Sequence, residues 1–179
     1  MLTSENDISN GVTSYFEKLY SESSDNSSGK IIRCVESSVD DSQNKKLIET
    51  PAQKEIHYAL FSLNMESVSG PDGFTNKFFM FYWDIIQNDV ISVVQELFYH
   101  SFMPFGMNSN FIALIPKKDN ALDIKDFRPV AIGNSIPKVI SKIMAIRLGE
   151  VSKKIVSVNQ FGFVPGRIVF SLPQNALMS

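Results

Sequence analysis

At 179 residues, with 44% hydrophobic and 20% charged side chains, the chain is long enough to bury a core and ordinary enough in composition to exclude wholesale disorder. No apolar run approaches the roughly 20 residues that a membrane-spanning helix needs. One cysteine, Cys34, excludes an internal disulfide, and with only His57 and His100 beside it the ligands for a Cys/His zinc site are too few.

The net charge of −2 conceals a gradient: residues 1–70 carry −5, residues 71–127 carry −3 and residues 128–179 carry +6. A basic C-terminal third is either a polyanion-binding end or a solvated helix face, and charge alone leaves both readings open. The first residues are polar and acidic, unlike a secretory signal or an Arg-rich transit peptide, so the expected location is intracellular, with nucleus and cytoplasm undistinguished.

Ile8, Val12, Tyr15, Phe16 and Leu19 recur at helical spacing and predict an amphipathic helix over residues 8–20. Residues 21–29, rich in Ser, Asp, Asn and Gly, read as a linker, and residues 30–46 as loop. Asp40 and Asp41 in that stretch are either metal ligands or loop residues facing solvent. Thr50-Pro51-Ala52-Gln53 has the pattern of a capping box with Pro at the first helical position, starting a helix whose apolar face is Ile56, Ala59, Leu60 and Leu63. Ser69-Gly70-Pro71-Asp72-Gly73 then forces a turn. Residues 78–101 read as one long or broken helix, with Ile86, Val90, Val93, Val94 and Leu97 toward the core and Asp84, Gln87, Asn88 and Glu96 outward. The aromatic cluster Phe78, Phe79, Phe81, Tyr82 and Trp83 has the means to stack on bases, but its density favours core packing.

Phe111 to Ile115 is a short continuous apolar run expected to form a buried strand, and residues 127–132 begin a second in which Pro129 argues against a central position. Ser135 is expected to cap a helix whose buried stripe is Ile136, Val139, Ile140 and Ile143, with Lys138 and Lys142 on the solvent side and Arg147 in the last turn. The chain therefore reads as α+β, mostly helical, with residues 1–49 (helix and Ser-rich linker) set apart from residues 50–179.

Four blocks stand in order along the chain: Gly70-Pro71-Asp72-Gly73-Phe74; Phe111-Ile112-Ala113-Leu114-Ile115-Pro116-Lys117; Asp126-Phe127-Arg128-Pro129-Val130; and Lys138 through Arg147-Leu148, followed by Gln160-Phe161-Gly162-Phe163-Val164-Pro165-Gly166-Arg167. In content, order and spacing they resemble the start of the polymerase domain of non-LTR (LINE-type) retrotransposon reverse transcriptases, over roughly residues 50–167. The resemblance implies a partial right-hand polymerase fold: the fingers, with a short two-stranded element, and the start of the palm. It implies an RNA-directed DNA polymerase, a nucleotidyltransferase whose partners are an RNA template, a DNA primer and a dNTP.

The residues matching Lys117 and Arg128 would hold the triphosphate, as suits a mobile ammonium and a planar guanidinium fork. The alternative for Arg128 is an ion pair with Asp126 or another acid. Lys138, Lys142 and Arg147 would face the backbone of template or primer, and Gln160 and Arg167 would lie near the template.

The family works with magnesium held by carboxylates on later strands. Here the last acid is Glu150, so the expectation is a fragment that ends before the catalytic aspartates, has no catalytic or metal-binding residue of its own and binds no magnesium alone. Ser67 and Val68 stand where a basic residue is common in the family, and residues 168–175 run longer than its usual path; both departures favour a decayed or truncated element. A non-catalytic interaction protein, whose exposed apolar faces lead to self-association, is a second reading. An enzyme acting on a phosphorylated small molecule is a third, disfavoured because no Gly-rich phosphate loop is present.

Overall fold

The computed structural model describes residues 4–21, 39–157 and Gly166. Its elements in chain order are α1 (Glu5–Ser21), α2 (Asp41–Ile48), α3 (Gln53–Phe61), α4 (Asn76–Phe81), α5 (Trp83–His100), β1 (Asn110–Pro116), a 3-10 turn (Ile124–Asp126), β2 (Phe127–Gly133) and α6 (Ser135–Ile155). The architecture is mixed: helices with one two-stranded antiparallel sheet, β1 beside β2. Among the described residues no helix is long and apolar enough to cross a membrane.

The chain divides into two compact units, Met1–Ser37 with Leu114–Pro129, and Ser38–Ala113 with Val130–Ser179. In the smaller, the α1 residues Ile8, Gly11 and Val12 and the hairpin residues Leu114, Leu122, Ile124 and Phe127 line one apolar cleft of about 750 Å³. Of the stripe expected on α1, Ile8 and Val12 line this cleft, and Ile8 and Leu19 stay about half exposed. The larger unit holds the core: Ile56, Ala59 and Leu60 of α3, Phe79, Met80 and Trp83 around the α4–α5 junction, Val90 and Val94 of α5, and Val139 and Ile143 of α6. Helical periodicity selects Ile56, Ala59, Leu60, Val90, Val94, Val139 and Ile143, because i, i+3, i+4 spacing puts them on one face, whereas the expected Val93 and Leu97 lie outside this cluster. The long helix over residues 78–101 is broken at Tyr82, and it ends where Ser101 turns left-handed at φ 50°. The aromatic cluster divides, with Phe79 and Trp83 buried while Phe81 and Tyr82 face outward.

Several local expectations are corrected. Residues 41–48, read as loop, form α2, because the Asp40 carboxylate accepts from the Gln43 amide at 2.8 Å while the Gln43 side chain accepts from the Asp40 N–H at 3.2 Å. Asp40 is thereby a helix cap. Thr50 does not cap α3: the N-cap is Ala52, with no side-chain cap, and the Pro51 carbonyl instead accepts from the Gln95 amide at 2.9 Å. Likewise Ser135 is the first helical residue rather than the cap, and its hydroxyl donates to the Phe74 carbonyl at 3.3 Å. Because α6 runs on to Ile155, Arg147 lies in its middle, and Lys153 and Lys154 occupy the last turn.

The strand expected at Phe111–Ile115 is present but not buried: Phe111, Ile112 and Ile115 each keep about half their surface exposed. A two-stranded sheet has two outer edges and needs another layer to cover a face. Among the described residues only the hairpin tip has one, from α1.

Candidate functional site

The hairpin register follows from its two ends. The Lys117 N–H donates to the Asp126 carbonyl at 2.7 Å, and at the other end Gly133 lies so close to Asn110 that a Cβ there would strike its side-chain oxygen. Equal strand lengths between these points leave no bulge, so Ile115 lies opposite Arg128, and Lys117 and Arg128 emerge on the same face as diagonal neighbours. The same register turns the nitrogen of Pro129 to the outer edge, where its missing N–H breaks no ladder bond.

The two cations differ in freedom. Lys117 Nζ donates to the Lys125 carbonyl at 2.7 Å and stays exposed. Arg128 is exposed and has no side-chain partner among the described residues. Asp126, the acid that stood as its alternative partner, is taken: Lys118 Nζ reaches its carboxylate at 2.8 Å. The Lys118 hydrogen bond, helped by the Asp123 backbone N–H, holds the Asp126 carboxyl below its ordinary value. Asp123 is occupied as well, its carboxylate capping the 3-10 turn by accepting from the Lys125 N–H at 3.2 Å.

A second polar surface belongs to the larger unit. A groove of about 420 Å³ is lined by Asn108, Asn110, Asn134, Lys138, Ser141 and Lys142, with Leu63, Ala131, Gly133 and Pro137 completing its walls. Lys142 also borders a neighbouring cleft of about 390 Å³ that includes Glu150 and Lys153. Lys138, half-buried, directs its ammonium to the Val68 carbonyl at 3.3 Å and the Ser67 hydroxyl at 3.4 Å. Lys142 has no side-chain partner among the described residues.

The organiser of this groove is Asn134, 4% exposed. Its amide donates to the Met107 carbonyl at 2.9 Å, and its side-chain oxygen accepts from the Asp72 N–H at 3.1 Å. The Gly70–Gly73 turn, closed by the Gly73 N–H on the Gly70 carbonyl at 3.0 Å, is thereby docked at the start of α6. The docking is tight enough to require a glycine: a Cβ on Gly70 would stand 2.5 Å from both the Asn134 nitrogen and the Gly133 carbonyl carbon. Asn108, Asn110, Asn134 and Ser141 were not singled out from sequence. The Gly133-Asn134 pair between strand and helix was the available signal, since an Asn in such a corner commonly bonds backbone.

Arg147 is not a free cation. Nε and Nη2 donate to the two carboxylate oxygens of Glu55 at 2.7 Å each, and Nη1 donates to the carbonyls of Leu47 and Glu49. Its guanidinium carbon stands 5.4 Å from the centre of the Phe98 ring, and the side chain is 11% exposed. The hydrogen bonds to Glu55 raise its pKa above the ordinary value. The expectation that Arg147 faces nucleic acid is therefore corrected: i, i+4 spacing gave it the side of α6 next to Ile143, where an acid was waiting. Gln160 and Arg167 lie outside the described residues.

Among the described residues no three Asp, Glu, His or Cys side chains cluster. Asp123 and Asp126 are spent on a cap and an ion pair, so these residues do not fit the magnesium that the resemblance implies for the family.

No family model matches the chain. It is 32% identical over 129 residues, 72% of its length, to the "Transposon TX1 uncharacterized 149 kDa protein" of Xenopus laevis. It is 30% identical over 84 residues, 47% of its length, to the "Retrovirus-related Pol polyprotein from type-1 retrotransposable element R2" of Nasonia vitripennis. The chain covers 10% and 8% of these two relatives. It is related to proteins of transposable elements, and retrotransposon-related in origin.

Proposed function

We propose that the chain is the fingers portion of the RNA-directed DNA polymerase of a non-LTR retrotransposon, with the start of the palm. In this reading it contributes binding of a nucleoside triphosphate and of template backbone, and it has no polymerase activity alone. The observation that carries the reading is the hairpin face: Arg128 is solvent-exposed with no acid paired to it among the described residues, its neighbouring acid is occupied by Lys118, and Lys117 emerges beside it. A guanidinium left unpaired next to an ammonium is an arrangement that costs repulsion unless an anion visits. The groove of Lys138 and Lys142, lined by asparagine amides and a serine hydroxyl, suits a sugar-phosphate backbone bound without regard to base. Lys138 also delivers a positive charge to Ser67 and Val68, the positions where the resemblance led one to expect a basic residue.

Catalysis would need carboxylates for paired metal ions, and the residues described supply no such cluster. Accordingly, a primer-extension assay with the chain alone should show no incorporation, and incorporation that is lost on Arg128→Ala would overturn the reading. Backbone binding is tested by salt titration of single-stranded RNA. Two to four phosphate contacts give a slope of log affinity against log salt of about −1.5 to −3.5, at roughly −0.7 to −0.9 per contact. Replacing Lys138 and Lys142 together by Ala should flatten that slope by about 1.4 to 1.8 with no change in base preference. An unchanged slope in a folded variant would make them a solvated helix face.

A second reading, a non-catalytic interaction protein, draws on the exposed Phe111, Ile112 and Ile115 of β1. It expects no triphosphate affinity at all.

A further inference from the structure

The polar surface of α6 continues past the groove of Lys138 and Lys142. Lys142 also borders a second, shallow cleft of about 390 Å³, lined by Lys142, Ala145, Ile146, Gly149, Glu150 and Lys153, all of them on α6. Positions 138, 142, 145, 149 and 153 follow the helical period and share one face, distinct from the buried stripe of Val139, Ile143 and Val151. Small residues at 145 and 149 leave room between the longer side chains. The two clefts differ in charge. The first holds amides, a hydroxyl and two ammonium groups; the second contains a carboxylate, and Glu150 is the only acid in residues 128–179. Glu150 is exposed, and its side chain has no hydrogen bond or ion pair among the described residues.

We propose, resting on the backbone-binding reading of this groove, that Glu150 is the residue by which the surface tells ribose from deoxyribose. With a phosphate of the strand held at Lys142, the Glu150 carboxylate accepts a hydrogen bond from the 2′-hydroxyl of a ribose further along the same strand. The 2′-hydroxyl is the donor that lets a protein distinguish an RNA backbone from a DNA backbone. Lysines cannot make that distinction, because an ammonium meets the phosphates of both alike.

The sign of the charge carries the inference. An ionised carboxylate accepts hydrogen bonds and donates none, so beside a phosphate it contributes repulsion that only a donor on the strand offsets. A deoxyribose offers no such donor and a ribose does. At 1.5 Å per residue Glu150 lies about 12 Å along α6 from Lys142, a span that a strand of a few nucleotides covers. A hydrogen bond to a charged group is worth about tenfold or more in a shielded setting, and the exposure of Glu150 reduces this to about three- to tenfold.

The test is a fluorescence titration at low salt of the full chain, Glu150→Ala and Glu150→Gln. The probes are three oligouridylates of about eight nucleotides, within the usual site sizes, that differ only in carrying hydroxyl, fluorine or hydrogen at the 2′ carbon. Uracil has no exocyclic amino group, so a base cannot supply the donor. The wild type should bind the hydroxyl strand about three- to tenfold more tightly than either of the others. Glu150→Ala should bring the three together, chiefly by tightening the fluoro and deoxy strands, because the repulsion leaves with the acid. Glu150→Gln, which keeps an acceptor, should retain part of the preference, a rescue that a purely structural role would not give. Alanine favours helix at this exposed position, so circular dichroism should be unchanged. Equal binding of the three strands by the wild type, or a preference that survives Glu150→Ala, would overturn the proposal. Salt-dependent binding without the preference removes this inference and leaves the backbone reading standing, whereas no salt-dependent binding of any strand removes both.

Discussion

The helical unit and the hairpin treat positive charge in opposite ways. On α6, Arg147 is enclosed: a carboxylate grips its fork, two carbonyls take another nitrogen and an aromatic ring lies beside it. On β2, Arg128 projects into solvent with no such partner among the described residues, while Asp126, two positions before it in sequence, is already engaged by Lys118. The first arginine completes a fold, joining α6 to the α2–α3 segment. The second is left available. Two residues of one type in one basic third of the chain thus differ in setting: Arg147 is built into the packing, and Arg128 is the one proposed to meet an anion. Partnership distinguishes them, and charge does not.

The sharpest way to break that contrast is stability. Arg147→Ala should destabilise the chain by about 2–4 kcal/mol, because Glu55 and the Leu47 and Glu49 carbonyls lose their donor in a mostly buried setting. Arg128→Ala should change stability by no more than about 0.5 kcal/mol, as for most exposed positions. Urea unfolding of both variants reads the difference, and similar values would erase the distinction between structural and available arginine. Next in size is Gly70→Ala, expected to cost about 1–3 kcal/mol by forcing the turn away from Asn134. The same unfolding assay checks it, and a neutral result would mean that the docked turn is not held as described.

The smallest expected effect is electrostatic. Asp126 has a folded pKa below its ordinary value of 3.8, so its contribution is fully present above that value and is lost as pH falls through the lower folded one. Lys118→Ala should raise the Asp126 pKa toward ordinary, as followed by carboxyl NMR titration. An unmoved titration would show that the Lys118 pair does not occupy this acid, and Arg128 would regain a competitor. Arg147 shifts the other way, and its raised pKa removes stability only at strongly alkaline pH, so it adds no pH dependence near neutrality.

How legible all this was from sequence differs by link. Helices α1, α5 and α6 announced themselves through apolar spacing, since burial of one face is what sustains them. α2 did not, because it buries no residue and rests on a cap between Asp40 and Gln43 that a polar stretch concealed. β1 was legible as a strand and illegible in burial, because a run of Phe, Ile and Leu records only that a cover is favourable, without saying whether one exists. At the site, Lys117, Arg128, Lys138 and Lys142 were nominated and Asn134 was missed. A cation advertises itself by type, whereas an asparagine that holds a turn through two backbone bonds is known only once distant segments meet. Arg147 was misassigned for the same reason, since Glu55 lies 92 positions away in sequence.

The hairpin face carrying Lys117 and Arg128 is the proposed anion site, and triphosphate binding tests it most directly. A dNTP titrated by calorimetry against the wild type, Arg128→Ala and Arg147→Lys separates the two arginines. The account expects Arg128→Ala to lose about tenfold or more in affinity, the worth of a charge-assisted contact at about 1.5–3 kcal/mol, with unfolding unchanged. It expects Arg147→Lys to lose stability while what remains folded binds as the wild type does. Equal triphosphate affinity for wild type and folded Arg128→Ala, or no affinity in either, would contradict it.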